Sequence, residues 1–403
     1  MAENKDKKVL NVPNIRFKEF KEEWKRARFK DVITLQRGSS PRPIIKYLTT
    51  SNEGVNWIKI GDMPISGRIV TSTEEKITKE GAKKSRRVSI GDLILSNSMS
   101  YGLPYIMGIE GYIHDGWFVL RNFEKTFDKD YLCNLLISDV VQKQYKKLAA
   151  GGVVQNISSD LVNSVFIPIP SLKEQEKIAS FLSIIDERIA TQNKIIEELK
   201  QLKNGIINHT FNSLKTKCTP FKNLYKDAGE GGTPSTSNAS YYDNGTIPFI
   251  KIDDLKKKYL TCNKDYITNL GLQKSSAWLI PTNSILFSNG ATIGEISITT
   301  YSVTTKQGIL GIVPNSDVDT EYLYYLMSSQ FFKKAINRII TEGTMKTAYL
   351  KDINKIICPL PSKEVQKNIA RLPSILNRKI EIEQSLLDKF LTQKQHLLRQ
   401  MFI

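Results

Sequence analysis

The chain has 403 residues, with 58 Lys plus Arg against 41 Asp plus Glu, a formal charge of +17, and 40% hydrophobic residues. This supports folded cores in two or three domains and excludes a mainly disordered chain; so basic a balance calls for a polyanionic partner, nucleic acid or an anionic membrane surface. No apolar run approaches the roughly 20 residues that span a bilayer, and Met1-Ala2-Glu3-Asn4-Lys5-Asp6 lacks a signal-peptide core, so no membrane partner and a cytoplasmic location are expected.

In chain order, residues 1–28 read as an arm, followed by apolar runs bounded by turn residues that predict strands at Trp57–Ile60, Leu93–Leu95 and Trp117–Leu120. A helix is expected over Tyr131–Leu148. Pro168-Ile169-Pro170-Ser171 then punctuates the chain, and Ser171 with Glu174 three residues on predicts a capping box at the start of a long helix. From Ser171 to about Phe211 there is no proline, and Ile178, Leu182, Ile185, Ile189, Ile196, Leu199 and Ile206 recur with heptad-like spacing.

The same order then repeats. Pro168 returns as Pro359, a shift of 359 − 168 = 191, and Ile58-Lys59-Ile60-x-Asp62 returns as Ile250-Lys251-Ile252-x-Asp254 at a shift of 192. Ser96-Asn97 matches Ser288-Asn289, Gly116 matches Gly308, and Ile77-Thr78-x-x-Gly81-x-x-Lys84-Ser85 matches Ile267-Thr268-x-x-Gly271-x-x-Lys274-Ser275. Strands are therefore expected at Phe249–Ile252, Ile285–Phe287 and Ile309–Val313, and a helix at Tyr322–Ile340. The second long segment, Ser362 to Phe402, carries Ile369, Leu372, Leu376, Ile380, Leu387, Phe390, Leu397 and Met401, with Pro373 expected to kink it or end a short first helix. Each stripe needs a partner: the other copy, or its own domain.

The fold class expected is α+β, two tandemly repeated mixed globular domains separated by two long helices that pair as an antiparallel coiled coil. The boundaries fall at 1–28 for an arm completing the repeat, 29–167 and 215–358 for the domains, and 168–214 and 359–403 for the helices.

Two non-identical basic domains suit a bipartite duplex DNA ligand. Cations beside turn residues neutralise phosphates, while Arg, Asn, Gln and Ser side chains reach base edges. The candidate DNA-binding residues in the first domain are Arg37, Ser39, Arg42, Lys46, Lys83, Lys84, Arg86, Arg87, Asn97, Ser98, Tyr101, His114 and Asp115. In the second they are Thr233, Ser235, Thr236, Lys274, Ser275, Ser276, Asn289, Lys306, Gln307, Lys346 and Thr347. A single charge run is more often a solvated face, and recurrence at equivalent positions is what favours function. Lys256-Lys257-Lys258 has no charged counterpart in the first repeat and reads as a solvated turn or a nonspecific phosphate contact.

Catalytic chemistry finds little support. Cys133, Cys218, Cys262 and Cys358 form no Cys-x-x-Cys pair, and His114, His209 and His396 lie at no metal-binding spacing, so no metal site is expected. Asp243 followed by Asp254-Leu255-Lys256 superficially matches a metal-dependent nuclease, but Pro64 replaces the lysine in the first repeat. Gly229-Glu230-Gly231-Gly232-Thr233 lacks the Gly-Lys-Ser/Thr ending of a phosphate loop and reads as a tight turn. The competing readings are a stand-alone nuclease and an RNA-binding adaptor in which Tyr47, Tyr101, Tyr241 and Tyr242 stack bases.

Several of these segments resemble the specificity subunit of type I restriction-modification enzymes over nearly the whole chain. Pro13-Asn14-Ile15-Arg16-Phe17, with Phe20 and Trp24, is similar to that family's amino-terminal signature, and the block Pro168–Ala179 to its central conserved region. Gly231-Gly232-Thr233-Pro234-Ser235 resembles the opening of its target-recognition domains, and Gly38-Ser39-Ser40-Pro41-Arg42-Pro43 a variant of it. The resemblance implies a non-catalytic subunit whose two domains each read half of an asymmetric, interrupted site in double-stranded DNA. It also implies that the long helices recruit two methyltransferase subunits, and that restriction/translocase subunits join them. S-adenosylmethionine, ATP and Mg would then sit in those partner subunits and none would be bound by this chain.

Overall fold

The computed structural model describes residues 11–64, 67–97, 102–149, 157–290, 292–340 and 347–403. Leu93–Ser96 is buried at every position, because successive side chains of a strand point to opposite faces and both faces are covered here. Leu93 and Leu95, with Phe118 and Leu120, enter a core shared with Tyr131, Leu132 and Leu135, whereas Ile94, Trp117 and Val119 enter a second core with Ile58, Val88 and Ile113. The first domain is thus layered: helices, a central sheet, and an outer sheet. The central sheet has the strand order Thr34–Arg37, Trp117–Arg121, Leu93–Ser96, Pro104–Met107, Ile69–Val70. The outer sheet has the order Leu48–Thr49, Glu75–Ile77, Val55–Ile58, Gly111–Ile113, Arg86–Val88.

The second domain repeats the plan. Its central sheet runs Tyr225–Glu230, Ile309–Pro314, Ile285–Ser288, Ile296–Thr299, Tyr259–Leu260, and three outer strands are Asp265–Ile267, Ile247–Ile250 and Thr304–Thr305. Ile285, Phe287, Leu310 and Ile312 face the helical core, while Leu286 and Ile309 face the outer one with Ile250 and Val303. The turn between paired strands of each central sheet needs a left-handed residue, and glycine supplies it at both places, Gly102 (φ 79) and Gly294 (φ 107).

The single helices expected over Tyr131–Leu148 and Tyr322–Ile340 are each two. Lys129–Ile137 stops at Ser138 before Asp139–Ala149, and Thr320–Ser328 stops at Ser329 before Gln330–Ile339. Both serines take extended backbone angles and donate their hydroxyls to the carbonyls of Leu135 and Leu326, and Ser329 Oγ also accepts from Phe332 N. Apolar periodicity runs through the break because the second helix faces the same core.

The long helices are Leu172–Ser213 and Lys363–Gln400, of 42 and 38 residues. The chain divides into two units, Met1–Lys194 with Ser385–Ile403, and Ile195–Gln384, so the two ends of each helix belong to different units. In the first unit Ile178, Leu182 and Ile185 share a core with Leu397, Met401 and Phe402, and Asp186 is ion-paired with Lys394. In the second, Ile207 and Phe211 share a core with Ala370, and Lys203 Nζ donates to Asn377 Oδ1 at 3.2 Å. Later residues of one helix meet earlier residues of the other in each unit, so the pairing is antiparallel. The helices pack on their own domains as well, so the two expected partners of the apolar stripes coexist. The second helix runs through Pro373 without ending. A proline removes one amide donor, and packing on both sides of it, at Ala370 and Asn377, offsets that local loss. Leu372, expected on the apolar stripe, is 49% exposed. No helix among the described residues is long and apolar enough to cross a membrane.

Only half of the expected capping box forms. Glu174 N donates to Ser171 Oγ, but the Glu174 carboxylate is buried and taken by Arg16, whose Nε and Nη2 donate to Oε1 and Oε2 at 2.7 and 2.9 Å. Phe17 beside it meets Phe181 edge-on at 5.9 Å, so the arm is held to the long helix by a paired charge and a ring contact. One residue on, Gln175 is fully buried: Nε2 donates to the carbonyls of Thr126 and Pro170, and Oε1 accepts from Asp128 N. Gln366 does the same with Asp317, Pro361 and Asp319. Asp128 and Asp319 are the N-caps of the following helices, so a side chain from another element satisfies an amide that a capping box would otherwise serve.

Replacing either glutamine by Ala strands a buried amide and two carbonyls. Gln175→Ala and Gln366→Ala are each expected to cost about 1–3 kcal/mol, read as a lowered urea midpoint of unfolding, whereas Gln201→Ala on an exposed helical face should leave the midpoint in place.

Candidate nucleic-acid interface

The outer sheet of the first domain ends in loops that the fold ties together by backbone contacts. Gly38 N donates to Trp117 O, and a Cβ at Gly38 would lie 2.0 Å from His114 O, so the opening loop can approach the 114–116 turn only as glycine. Ser39 Oγ donates to Lys84 O, Arg86 Nε to Arg37 O, and Arg37 Nε to Asp115 O. Ser40 donates to Asp115 Oδ1 at 2.8 Å and accepts from Asp115 N. Arg37, Arg42, Lys46, Lys83, Lys84, Arg86 and Arg87 are exposed around this knot. Besides the backbone contacts of Arg37 and Arg86, three of them have side-chain partners: Arg42 with Asp115 at 3.0 Å, Arg87 with Glu110 at 2.9 Å, and Lys84 with the Tyr47 hydroxyl and ring.

The second domain builds the same knot from different side chains. Gly231 N donates to Ile309 O, and Gln307 N donates to Thr233 Oγ1, which stands where Ser40 stands. Cβ atoms at Gly231 and Gly232 would lie 2.2 Å from Thr305 Oγ1 and 2.3 Å from Ala277 N, so these glycines serve a close approach of three chain segments and not the tight turn expected of them. Ser235, Thr236, Lys274, Ser276, Lys306 and Gln307 are exposed, and Thr233, Ser275 and Thr347 partly so. Ser275 Oγ is spent on Gly271 O.

Asn97 and Asn289 are placed differently. Both are buried, with Nδ2 donating to Asp115 O and Ala348 O, while their backbone amides hold Gly116 O and Gly308 O. Ser96 and Ser288 are also buried and their hydroxyls accept from Leu103 N and Glu295 N. The recurrence of Ser-Asn in both repeats therefore reports a shared turn. Ser98, Tyr101 and Lys346 lie outside the described residues. Ser40, in the Gly38-Ser39-Ser40-Pro41-Arg42-Pro43 opening noted in the sequence, and Tyr47, read there as a base-stacking candidate, are both contacts of the knot. The sequence gives no sign of a cavity of about 1,030 Å³ beside the opening loop, lined by Pro41, Pro43, Ile44, Trp57, Ile60 and His114 among others.

Lys258 overturns the solvated-turn reading: it is buried among tyrosines and ion-paired with Glu321 at 3.1 Å, so only Lys256 and Lys257 remain exposed. Asp254 accepts from Lys251 N at 2.9 Å, closing a 3-10 turn as Asp62 does for Lys59. Cys133 and Cys358 are buried and their thiols are pushed up to about 11 and about 12, away from thiolate chemistry. Among the described residues no group of three or more His, Cys, Asp or Glu could hold a metal ion. What the knots offer is hydrogen-bond donors and acceptors on a cationic ground.

His114 and Asp115 carry the one resolved electrostatic perturbation at the first knot's centre. Burial pushes His114 below its ordinary value against the pull of Asp115, and its Nδ1 accepts from Gly116 N at 2.7 Å, which leaves a neutral ring with its proton on Nε2. Burial opposes ionisation of Asp115, but hydrogen bonds from Ser40, its own amide and Arg42 outweigh it and hold the carboxyl below its usual range. With the folded imidazole resisting protonation, the unfolded chain takes the proton first as pH falls through about 6.5. His114 therefore contributes stability that is full above that pH and declines below it. The urea midpoint should fall more between pH 7 and pH 5.5 in the wild type than in His114→Gln, and the imidazole resonance should titrate below its ordinary pH.

A family model described as type I restriction modification DNA specificity domain matches residues 21–201 and 226–390. The chain is 24% identical to the type I restriction enzyme MjaIX specificity subunit of Methanocaldococcus jannaschii over 86% of its length and 85% of the relative's. It is 22% identical to the EcoKI specificity subunit of Escherichia coli over 87% and 81%. Its fold is similar to the type I restriction-modification S subunit from M. genitalium, with a TM-score of 0.56 at 14% identity over 97% of this chain and 99% of that one. A chain from a study of complex assembly and conformational transition of the type I system gives 0.61 at 15% identity over 93% and 96%.

Proposed function

Because the chain belongs to the type I restriction modification DNA specificity family, we propose that each of its two domains reads one half of a bipartite, asymmetric DNA site through its knot of outer-sheet loops. The chain is the sequence-specific DNA-binding subunit of a complex in which methyltransferase and restriction subunits carry the chemistry. It performs no catalysis itself, and S-adenosylmethionine, ATP and Mg belong to those partners.

One observation carries the division of labour between framework and reading. Hydrogen bonds at equivalent repeat positions hold the two knots alike, while the side chains on them differ: exposed Arg86 and Arg87 correspond to exposed Ser276 and buried Ala277, and partly exposed His114 and Asp115 correspond to exposed Lys306 and Gln307. Different donors and acceptors select different bases, because the major groove presents a distinct pattern for each base pair. Exposed Lys83, Lys84, Lys274 and Lys306 supply phosphate contacts, which position the domain without reading sequence. The apolar cavity beside Trp57 offers surface to a thymine methyl group.

Sequencing methylated genomic DNA from a host that expresses this chain with its modification partner tests the reading, and one interrupted, non-palindromic site is expected. Arg86→Ser with Arg87→Ala should relax the half-site read by the first domain and leave the other intact. Binding should also weaken with salt at a log–log slope of about −0.9 for each phosphate the chain neutralises. A symmetric site, or a change in both halves, would contradict separate reading by two domains. Methyl transfer or cleavage by the purified chain alone would contradict the absence of catalysis.

A further inference from the structure

Away from the reading loops, one cation in each domain reaches back toward the long helices from the same place in the repeat. Arg68 and Lys258 each precede the edge strand of a central sheet, and their carbonyls accept from Ile106 N and Ile298 N at 2.8 and 2.7 Å, which fixes the equivalence. At the upstream shift of 192 the sequence pairs Lys258 with Ser66 and misses it, because an indel falls between the two blocks: the shift here is 258 − 68 = 190, as it is downstream at Ile77 and Ile267 (267 − 77 = 190).

Both side chains bridge the domain's helical layer and a long helix. Arg68 Nη2 donates to Asn134 Oδ1 at 2.6 Å and lies 3.8 Å from Asp186 on the first long helix, whose carboxylate also pairs with Lys394 of the second. Lys258 Nζ donates to the Tyr325 hydroxyl at 3.1 Å and to Ser374 Oγ at 2.9 Å on the second long helix, and is ion-paired with Glu321. Tyr325 is the repeat counterpart of Asn134. The Lys258 side chain is 1% exposed and sits over the rings of Tyr259, Tyr324 and Tyr325 at 4.7 to 5.7 Å.

The enclosed Lys258 adds little net stability over an apolar side chain of similar size, yet its bonds demand particular atoms at particular distances, whereas Arg68, 20% exposed, reaches its long helix through an ion pair alone. Apolar contacts between a domain and a helix allow sliding; these bonds select one seating.

We infer that Arg68 and Lys258 are positioning residues that fix the seating of each recognition domain on its own stretch of the helix pair, and thereby the length of the DNA gap the subunit accepts. This rests on the bipartite reading proposed for the two domains. Neither residue belongs to the reading loops, so the half-site sequences do not depend on them.

The test uses the chain assembled with its modification subunits and plasmids carrying both half-sites at the native gap and at gaps one base pair shorter and longer. Wild type should methylate the native gap selectively. Lys258→Met and Arg68→Met should lower that selectivity by roughly 2- to 30-fold, with the half-sites unchanged and Lys258→Arg restoring most of it. Should Lys258→Met fail to assemble, Ser374→Ala and Tyr325→Phe each remove one bond of the clamp and take its place in the comparison. Unchanged gap selectivity in the assembled variants would overturn the inference, as would altered half-sites. A wild-type complex with no bipartite site would instead overturn the reading beneath it.

Discussion

The side-chain amide of Gln175 is enclosed at the start of a long helix, with both of its polar ends occupied by backbone of the preceding domain. A buried amide is tolerable only if paired, and here the pairing joins three things: the proline-rich strand end, the N-cap of the domain's first helix, and the long helix itself. Gln366 repeats the arrangement atom for atom. The direction in which each long helix leaves its domain depends on this clasp, and the antiparallel pairing of the helices within each unit depends on that direction.

Two classes of residue follow from the repeat. Residues that recur, such as Ser96 with Ser288, Asn97 with Asn289, and Thr78 with Thr268, are spent on turns and caps: Thr78 and Thr268 accept from Gly81 N and Gly271 N. Residues that differ at equivalent, exposed positions are available to face DNA. Recurrence at these serine, asparagine and threonine positions therefore marks framework, whereas Lys84 and Lys274 recur and stay exposed.

The two domains also differ in how firmly a cation joins them to the helices. Arg68 shares a partly exposed carboxylate with Lys394, whereas Lys258 is enclosed by three tyrosines and a glutamate. Burial pushes Lys258 down while Glu321 pulls it up. A cation in that enclosure is held by directional bonds that water does not weaken.

The repeat, the strand cores at Leu93–Ser96 and Ile285–Ser288, the two long helices and the basic loops are all legible in the amino-acid order, because each is written in local periodicity and composition. The breaks at Ser138 and Ser329, the continuity through Pro373, the burial of Asn97 and Asn289, and the enclosure of Lys258 are not. Each of these is set by residues far away in the chain. A polar residue reads as exposed until the partner that satisfies it is known, and Tyr325, Glu321 and Ser374 lie 67, 63 and 116 positions from Lys258 (325 − 258, 321 − 258 and 374 − 258). Folding alone brings them together, because the free energy of burying a charge is decided by the atoms that surround it and not by its neighbours in sequence.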